Sequence, residues 1–327
     1  MYKVVSLFCG CGGADLGLLG GFNYNKKKYK TLPFKIIYAT DIDEKAIATY
    51  RKNFSGGVVI CDDIKNIQTA SIPICDILVG GFPCQSFSTV NPTKNPFDDR
   101  AQLYKEMTRI AETKQPKIII AENVKGFKTL HGGLIFNMVV SEFEKKGYKV
   151  VSALVNASDY GVPQKRERVI IVAIRNDINK IKGDFEFPKK ITENDKTPLS
   201  VAVPKVNIDD KKYYFSERAV RGLKKAKNNM KRGLAQNLDE PCLTVTSHLA
   251  KTSLNSRDPV LLVDPEKELY RRFTPREAAR IQSFPDTFEF VSSEFNTYKQ
   301  IGNAIPPVVF WYIAKSISDY LSVEVKK

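Results

Sequence analysis

Histidine is almost missing from this 327-residue chain, with only His131 and His248 present. Cysteine is scarce as well: six residues, at 9, 11, 61, 75, 84 and 242. Cys9 and Cys11 stand closer together than paired zinc ligands usually do, and two imidazoles do little to complete a set, so no metal is expected. The cysteines also lack the paired spacing of a secreted disulfide framework, which predicts reduced thiols with at most one of them doing chemistry. No apolar run is long enough to span a bilayer. The opening residues, Met1 to Phe8, enter a strand-like run without the layout of a signal peptide. The expectation is a cytoplasmic protein with no membrane partner. Internal repeats and low-complexity tracts do not stand out either.

What is present is core-forming material and positive charge. Hydrophobic residues at 43% and aromatics at 10% suit a soluble globular chain, long enough for one large domain and a smaller lobe. Lys and Arg number 51 against 36 Asp and Glu, a formal net charge of +15. A polyanion partner follows, because each neutralised phosphate releases counterions. A lysine-rich composition alone could produce that excess, so its distribution matters. Between Lys205 and Arg232 stand ten basic residues against three acidic ones, with Tyr213, Tyr214 and Phe215 interleaved.

Along the first half, apolar runs alternate with helical patterns. Strands are predicted over 4–8, 34–39, 58–61, 75–79, 117–121, 148–154 and 169–174, with helices near 15–19, 44–50, 102–113 and 134–146. Such alternation predicts an α/β fold: a doubly wound, mostly parallel sheet covered on both faces. After Arg175 the alternation fades, and only short strand-like pieces such as 242–245 and 260–263 remain, which predicts a smaller, irregular, β-rich lobe. Thr274 and Pro275 then open a helix as cap and first-turn residue. An apolar helical stretch, 308–321, could pack back on the first domain.

Chemistry concentrates at the predicted carboxyl ends of the strands, where open α/β sheets bind ligands. The first strand runs into Cys9-Gly10-Cys11-Gly12-Gly13, a turn that lets a cofactor approach backbone. The dinucleotide fingerprint would need glycine where Asp15 stands, which weakens a hydride-transfer reading. The second strand leads to Asp41-Ile42-Asp43, and one carboxylate there can bind ribose hydroxyls while the other caps the next helix; Asp41 is assigned the ribose and Asp43 the cap. Asp62-Asp63-Ile64 follows the third strand and offers a further carboxylate, suited to a purine amino group or to nothing beyond the loop. Cys84 sits in Gly81-Phe82-Pro83-Cys84-Gln85-Ser86-Phe87-Ser88, a loop that presents a thiol to the cleft. A buried structural thiol suits Cys61 and Cys75 better. Residues 91–100, rich in Pro, Asn and Asp, read as a loop able to close over a site.

Taken in order, these motifs resemble the C5-cytosine DNA methyltransferases of bacterial restriction–modification systems over nearly the whole chain. Phe8-x-Gly10-x-Gly12-Gly13 is similar to the cofactor turn and Gly81-Phe82-Pro83-Cys84-Gln85 to the nucleophile loop. Glu122-Asn123-Val124, Gln164-x-Arg166-x-Arg168, Arg272-x-Thr274-x-Arg276-Glu277 and Gln300-x-Gly302-Asn303 follow in sequence. Any one is weak; six in order are specific. Asp41 replaces the commoner Glu.

The resemblance implies a Rossmann-like methyltransferase domain, residues 1–175 plus about 298–327, and a target-recognition domain with hinge over about 176–297. It implies S-adenosylmethionine as cofactor, held by Phe8, Gly10, Gly12, Asp41, Ile42, Asp63, Ile64, Pro83, Leu103 and Asn303. Cys84 is then the nucleophile at cytosine C6, with Glu122 at N3 and N4, Arg168 at O2, and Arg166 orienting them or holding backbone. Without a fold, Glu122 could instead be a helix-terminal charge and the arginines a solvated face. The target base must be flipped from duplex DNA, with Gln85, Ser86 and Ser88 closing around it. Arg232 and Arg257 could read guanine or only touch phosphate. One nucleophile and one recognition lobe suffice for a monomer, and the restriction–modification setting would pair it functionally with a restriction endonuclease. Two alternatives compete: a tRNA cytosine-C5 methyltransferase on the same scaffold, and a catalytically silent DNA-binding module. Pro241-Cys242-Leu243-Thr244 matches the tRNA branch poorly, and intact Cys84, Glu122 and Arg168 oppose loss of catalysis.

Overall fold

The computed structural model describes residues 1–82, 103–227, 235–250 and 259–322. In chain order, β1 (Tyr2–Leu7) leads to α1 (Gly13–Leu19), then to β2 (Phe22–Tyr24) and β3 (Lys27–Tyr29). Next come β4 (Phe34–Asp41), α2 (Glu44–Asn53), β5 (Val58–Cys61), β6 (Ile77–Gly80), α3 (Tyr104–Lys114) and β7 (Ile118–Val124). The domain continues through α4 (Leu134–Lys145), β8 (Tyr148–Asn156), β9 (Gln164–Lys165), β10 (Glu167–Arg175) and α5 (Asn176–Lys182). Beyond these lie α6 (Glu217–Lys227), β11 (Cys242–Leu243), β12 (Leu261–Asp264), β13 (Leu269–Arg271), α7 (Pro275–Ile281), α8 (Glu294–Asn303) and α9 (Pro307–Ser322).

Seven strands form one sheet in the order β5-β4-β1-β6-β7-β10-β8. The pairings from β5 through β7 are parallel, whereas β10 is antiparallel to both its neighbours. Alternate side chains point to opposite faces, so near-continuous apolar strands build two cores at once. Val4, Ile77, Val79, Ile118, Ile120, Ile170 and Val172 pack on one face with Leu18 of α1 and Phe310 and Ile313 of α9. Val5, Leu78, Ile119, Val169 and Ile171 pack on the other with Met107 and Ile110 of α3 and Val139 and Phe143 of α4. The C-terminal helix therefore packs back on the seven-stranded sheet and α1. Its approach to α1 is so close that a Cβ on Gly17 would lie 2.4 Å from the Pro307 carbonyl oxygen.

Past residue 182 the strands are short, β12 pairing antiparallel with β13 and β11 parallel with β9. A third core gathers Cys242, Val245, Phe273, Ile281, Phe284, Tyr298 and Ile301 around Cys11 of the glycine turn after β1. Tyr213 serves this lobe's own packing: it is buried, its hydroxyl donates to Glu294 at 3.1 Å, and the Arg272 guanidinium lies over its ring. Thr274 caps α7 in a full capping box with Glu277, and Pro275 occupies the first turn. Glu277 also forms a bidentate pair with Arg271 at 2.7 and 2.8 Å, where the arginine side chain is wholly buried. Removing the charge from Glu277 leaves that guanidinium uncompensated, so Glu277→Gln is expected to cost about 3–5 kcal/mol of stability. Denaturant unfolding checks this; a loss below about 1 kcal/mol would mean the pair is dispensable.

Candidate functional site

At the sheet's carboxyl edge, β1 gives way to a turn in which Phe8, Gly10 and Gly12 all have positive φ, of 54°, 55° and 95°. For Phe8 this is a strained conformation. It places an aromatic side chain where the chain bends from sheet to helix. A Cβ on Gly12 would lie 2.2 Å from the Phe54 ring, whereas one on Gly10 would meet none of the described residues within 4 Å. Among the described residues, the space over the turn at Gly10 is open.

Asp41, ending β4, accepts hydrogen bonds from the Gly10 amide at 2.8 Å and the Asp43 amide at 2.9 Å. Burial pushes its carboxyl up against those stabilising bonds. Each oxygen keeps a second lone pair for a ligand hydroxyl. Asp43 caps α2 through the Lys45 and Ala46 amides and pairs with Lys299 at 2.7 Å, so the cap falls where the sequence placed it. Between them Ile42 is 67% exposed, an apolar side chain facing outward at a polar edge. Asp63 accepts from the Lys65 amide at 3.0 Å, while Asp62 holds the Asp63 amide and the Asn66 side chain. Ile64 is turned into the core with Ile67 and Ile72, so its side chain lines no open surface. Leu103 is partly buried against the same core, and Asn303 is exposed at the end of α8.

A second group of residues converges next to this one. Glu122 on β7 stands opposite Ile170 on β10, and Arg168 opposite Val124, which sets Glu122 and Arg168 diagonally on one face. They form an ion pair at 2.9 Å with side-chain exposures of 13% and 17%. Burial raises the Glu122 pKa above the usual carboxylate value, against the pull of Arg168 and Arg166. Glu122 is therefore neither a helix-terminal charge nor solvated.

Arg166 is buried and donates to three carbonyls: Val245 at 3.0 Å, Gly302 at 2.9 Å and Ala304 at 3.0 Å. It holds backbone, tying the second lobe and the α8–α9 junction to the strand that carries Arg168. Gln164 supports the same seam by accepting from the Val245 amide at 2.9 Å. The close approach at Gly302, where a Cβ would meet the Ser247 nitrogen at 2.2 Å, leaves room for glycine alone.

Pro83, Cys84, Gln85, Ser86 and Ser88 lie outside the described residues, as do Arg232 and Arg257. The chain leading to Cys84 is nevertheless fixed up to its last described residue. Asn123 donates from Nδ2 to the Phe82 carbonyl at 3.2 Å, and Phe82 packs edge-on against Phe127. A Cβ on Gly81 would stand 3.3 Å from Glu122 Oε2. The described chain thus passes beside the Glu122 carboxyl at Gly81, three residues before Cys84. The positioning role of Asn123 had only one sequence signal, its place next to Glu122.

The glycine turn, the Asp41 carboxylate and the Glu122–Arg168 pair thus stand together at the carboxyl edge of a mostly parallel α/β sheet, where proteins of this class bind ligands. The chain belongs to the C-5 cytosine-specific DNA methylase family, whose match covers residues 2–319. Among its relatives is the type II methyltransferase M.FnuDI of Fusobacterium nucleatum, 33% identical over 98% of this chain and 95% of that protein. Another is the type II methyltransferase M.NlaX of Neisseria lactamica, 32% identical over 98% of each. The fold is shared with Entamoeba histolytica methyltransferase EhMeth (TM-score 0.75, 20% identity, 99% of each chain). It is shared too with S. pombe Dnmt2 methyltransferase (TM-score 0.71, 20% identity, 98% of each chain). At those identities the two structures speak for the fold alone. Among the described residues, no helix is long and apolar enough to cross a membrane.

Proposed function

We propose that this protein is the modification methyltransferase of a type II restriction–modification system. In this reading it methylates carbon 5 of a flipped-out cytosine in a specific duplex sequence, through a covalent Cys84–C6 intermediate. The observation that supports the reading is the largely buried Glu122–Arg168 pair, whose carboxyl lies beside Gly81, three residues before Cys84.

The Cys84 thiolate adds to C6, and the C5–C6 π electrons move into the ring toward N3 and O2. Glu122, its carboxyl held above the usual range, supplies a proton or hydrogen bond at N3, and Arg168 balances charge at O2. Arg166 keeps both in register through its three carbonyl contacts. S-adenosylmethionine, when bound, supplies an electrophilic methyl group to the activated C5 and keeps the sulfur electron pair. Loss of the C5 proton then expels Cys84 by elimination. Asp41 would hold the ribose hydroxyls, Asp63 the adenine amino group, and Phe8 and Ile42 its faces, with Gly10 and Gly12 giving backbone approach. Leu103, Asn303 and Pro83 would border the compartment, and Ile64 would underlie it. Gln85, Ser86 and Ser88 would close on the flipped nucleotide, with Arg232 and Arg257 offered to the duplex. No metal enters this scheme, a monomer suffices, and a restriction endonuclease would be its functional counterpart.

Labelled S-adenosylmethionine offered with duplex DNA or with tRNA tests the reading. Label on duplex DNA at C5 of cytosine is expected, and label on tRNA alone would transfer the protein to the RNA branch.

A further inference from the structure

Asp15 is a buried carboxylate that none of the steps above uses. It is the third residue of α1, directly beneath the glycine turn, and has no exposed surface. Ser6 donates to its Oδ1 at 2.7 Å. The neighbouring Tyr50 hydroxyl also steadies the carboxylate, whereas the Thr40 hydroxyl has no hydrogen-bond partner among the described residues. The titratable groups facing it are Tyr50 from α2 and Cys9 and Cys11 from the turn. No cation is among them. On the turn's other side, Asp41 likewise takes part in no ion pair among the described residues, while nearby Lys299 pairs with Asp43 and Lys45 with Glu44. Both carboxylates act on the turn together: burial is the larger effect, but the charges of Asp15 and Asp41 also push the Cys9 and Cys11 thiols up.

Burying a carboxylate without a counter-ion costs stability, and in a low-dielectric setting its field reaches ligand atoms it does not touch. Donor and product differ here by a methyl group and one positive charge: the donor is a sulfonium, the product S-adenosylhomocysteine a neutral thioether. We infer that Asp15, reinforced by Asp41, makes this compartment prefer the cationic donor over the neutral product. Asp15 is then a specificity-determining residue that acts through charge and not contact, and it favours exchange of spent product for fresh donor. The inference rests on the cofactor reading proposed above.

Calorimetric titration of the wild type, Asp15→Asn and Ser6→Ala with each of the two ligands tests it without turnover. The wild type is expected to bind the sulfonium more tightly. Asp15→Asn should weaken the sulfonium about tenfold while changing the thioether less than about twofold. Burial pushes the Asp15 carboxyl up to about 6. The wild-type preference should therefore hold above that pH and fade as pH falls through it. Ser6→Ala removes a donor to the ionised form, so the same loss should occur at higher pH, a readout that survives if Asp15→Asn does not fold. Equal weakening of both ligands, an unchanged preference in Asp15→Asn, or a Ser6→Ala profile that coincides with wild type overturns the inference and leaves the cofactor reading intact. If the wild type binds neither ligand, the cofactor reading fails and the inference falls with it.

Discussion

Cys84→Ala is expected to lower methyl transfer to duplex DNA by more than about 10⁴-fold, while affinity for the methyl donor and for DNA stays within a few-fold of wild type. The size of the loss follows from the chemistry, since C5 of cytosine becomes nucleophilic only once a thiolate has added at C6. It also follows from the lack of a substitute. Burial holds the Cys9 thiol far above its ordinary value and pushes Cys11 and Cys75 up to about 12, so all three stay protonated. Cys242 is buried in the second lobe's core; Cys61 is exposed, not the buried thiol the sequence suggested, but it ends β5 on the far side of β4, β1 and β6 from Glu122. Single-turnover transfer measured beside filter binding separates the two quantities. Retention of more than about one per cent of the wild-type rate would mean that another group attacks, or that none needs to.

Glu122→Gln comes second, with an expected loss of about 10²- to 10⁴-fold in the transfer rate. Glutamine keeps the shape and can still donate a hydrogen bond, but it has no proton to share with N3. It also leaves Arg168 facing a neutral amide where a carboxylate stood at 2.9 Å. The pH profile carries more information than the rate. Burial raises the Glu122 carboxyl, so its protonated fraction declines as pH rises through a value above the ordinary carboxylate range. The thiolate of Cys84 grows in the opposite sense. Wild type should therefore show a falling limb as pH rises through that raised value, which Glu122→Gln lacks. If both proteins share the same falling limb, Glu122 is not the group that titrates.

Much of the fold was legible because parallel strands buried on both faces are nearly continuous apolar runs. The run 58–61 matches β5, and Val308 to Leu321 lies within α9. The reversal of β10 could not be read, since Val169 to Ile174 is as apolar as any parallel strand and direction leaves no mark on composition. The β2–β3 hairpin was missed for a different reason. Its turn places Asn25 and Lys26 at φ 46° and 59°, and lysine at a left-handed position hides the usual Asn-Gly signal. Helix α8 was passed over because Gly302 and a polar sequence disguise it, although Ser293 caps it.

The site divides in the same way. Glu122 and Arg168 were legible because each borders a recognisable strand, and the Asp43 cap because it is local. The three carbonyls held by Arg166 come from residues 245, 302 and 304, a convergence that only the folded chain creates. Asp15 registered in the sequence only as a missing glycine. Its burial and its bond to Ser6 depend on β1 and α1 packing against each other.

Covalent attack by Cys84 is the central claim, and trapping tests it most directly. Duplex DNA containing the recognition site with 5-fluorocytosine at the target position has no C5 proton to lose, so elimination is blocked after transfer. With S-adenosylmethionine present, a stable protein–DNA adduct should form, with the peptide containing Cys84 carrying a methylated fluoropyrimidine by mass spectrometry. The Cys84→Ala protein should form none. Methylation of ordinary cytosine with no adduct on the fluorinated duplex, or an adduct mapped to a different residue, would contradict the mechanism.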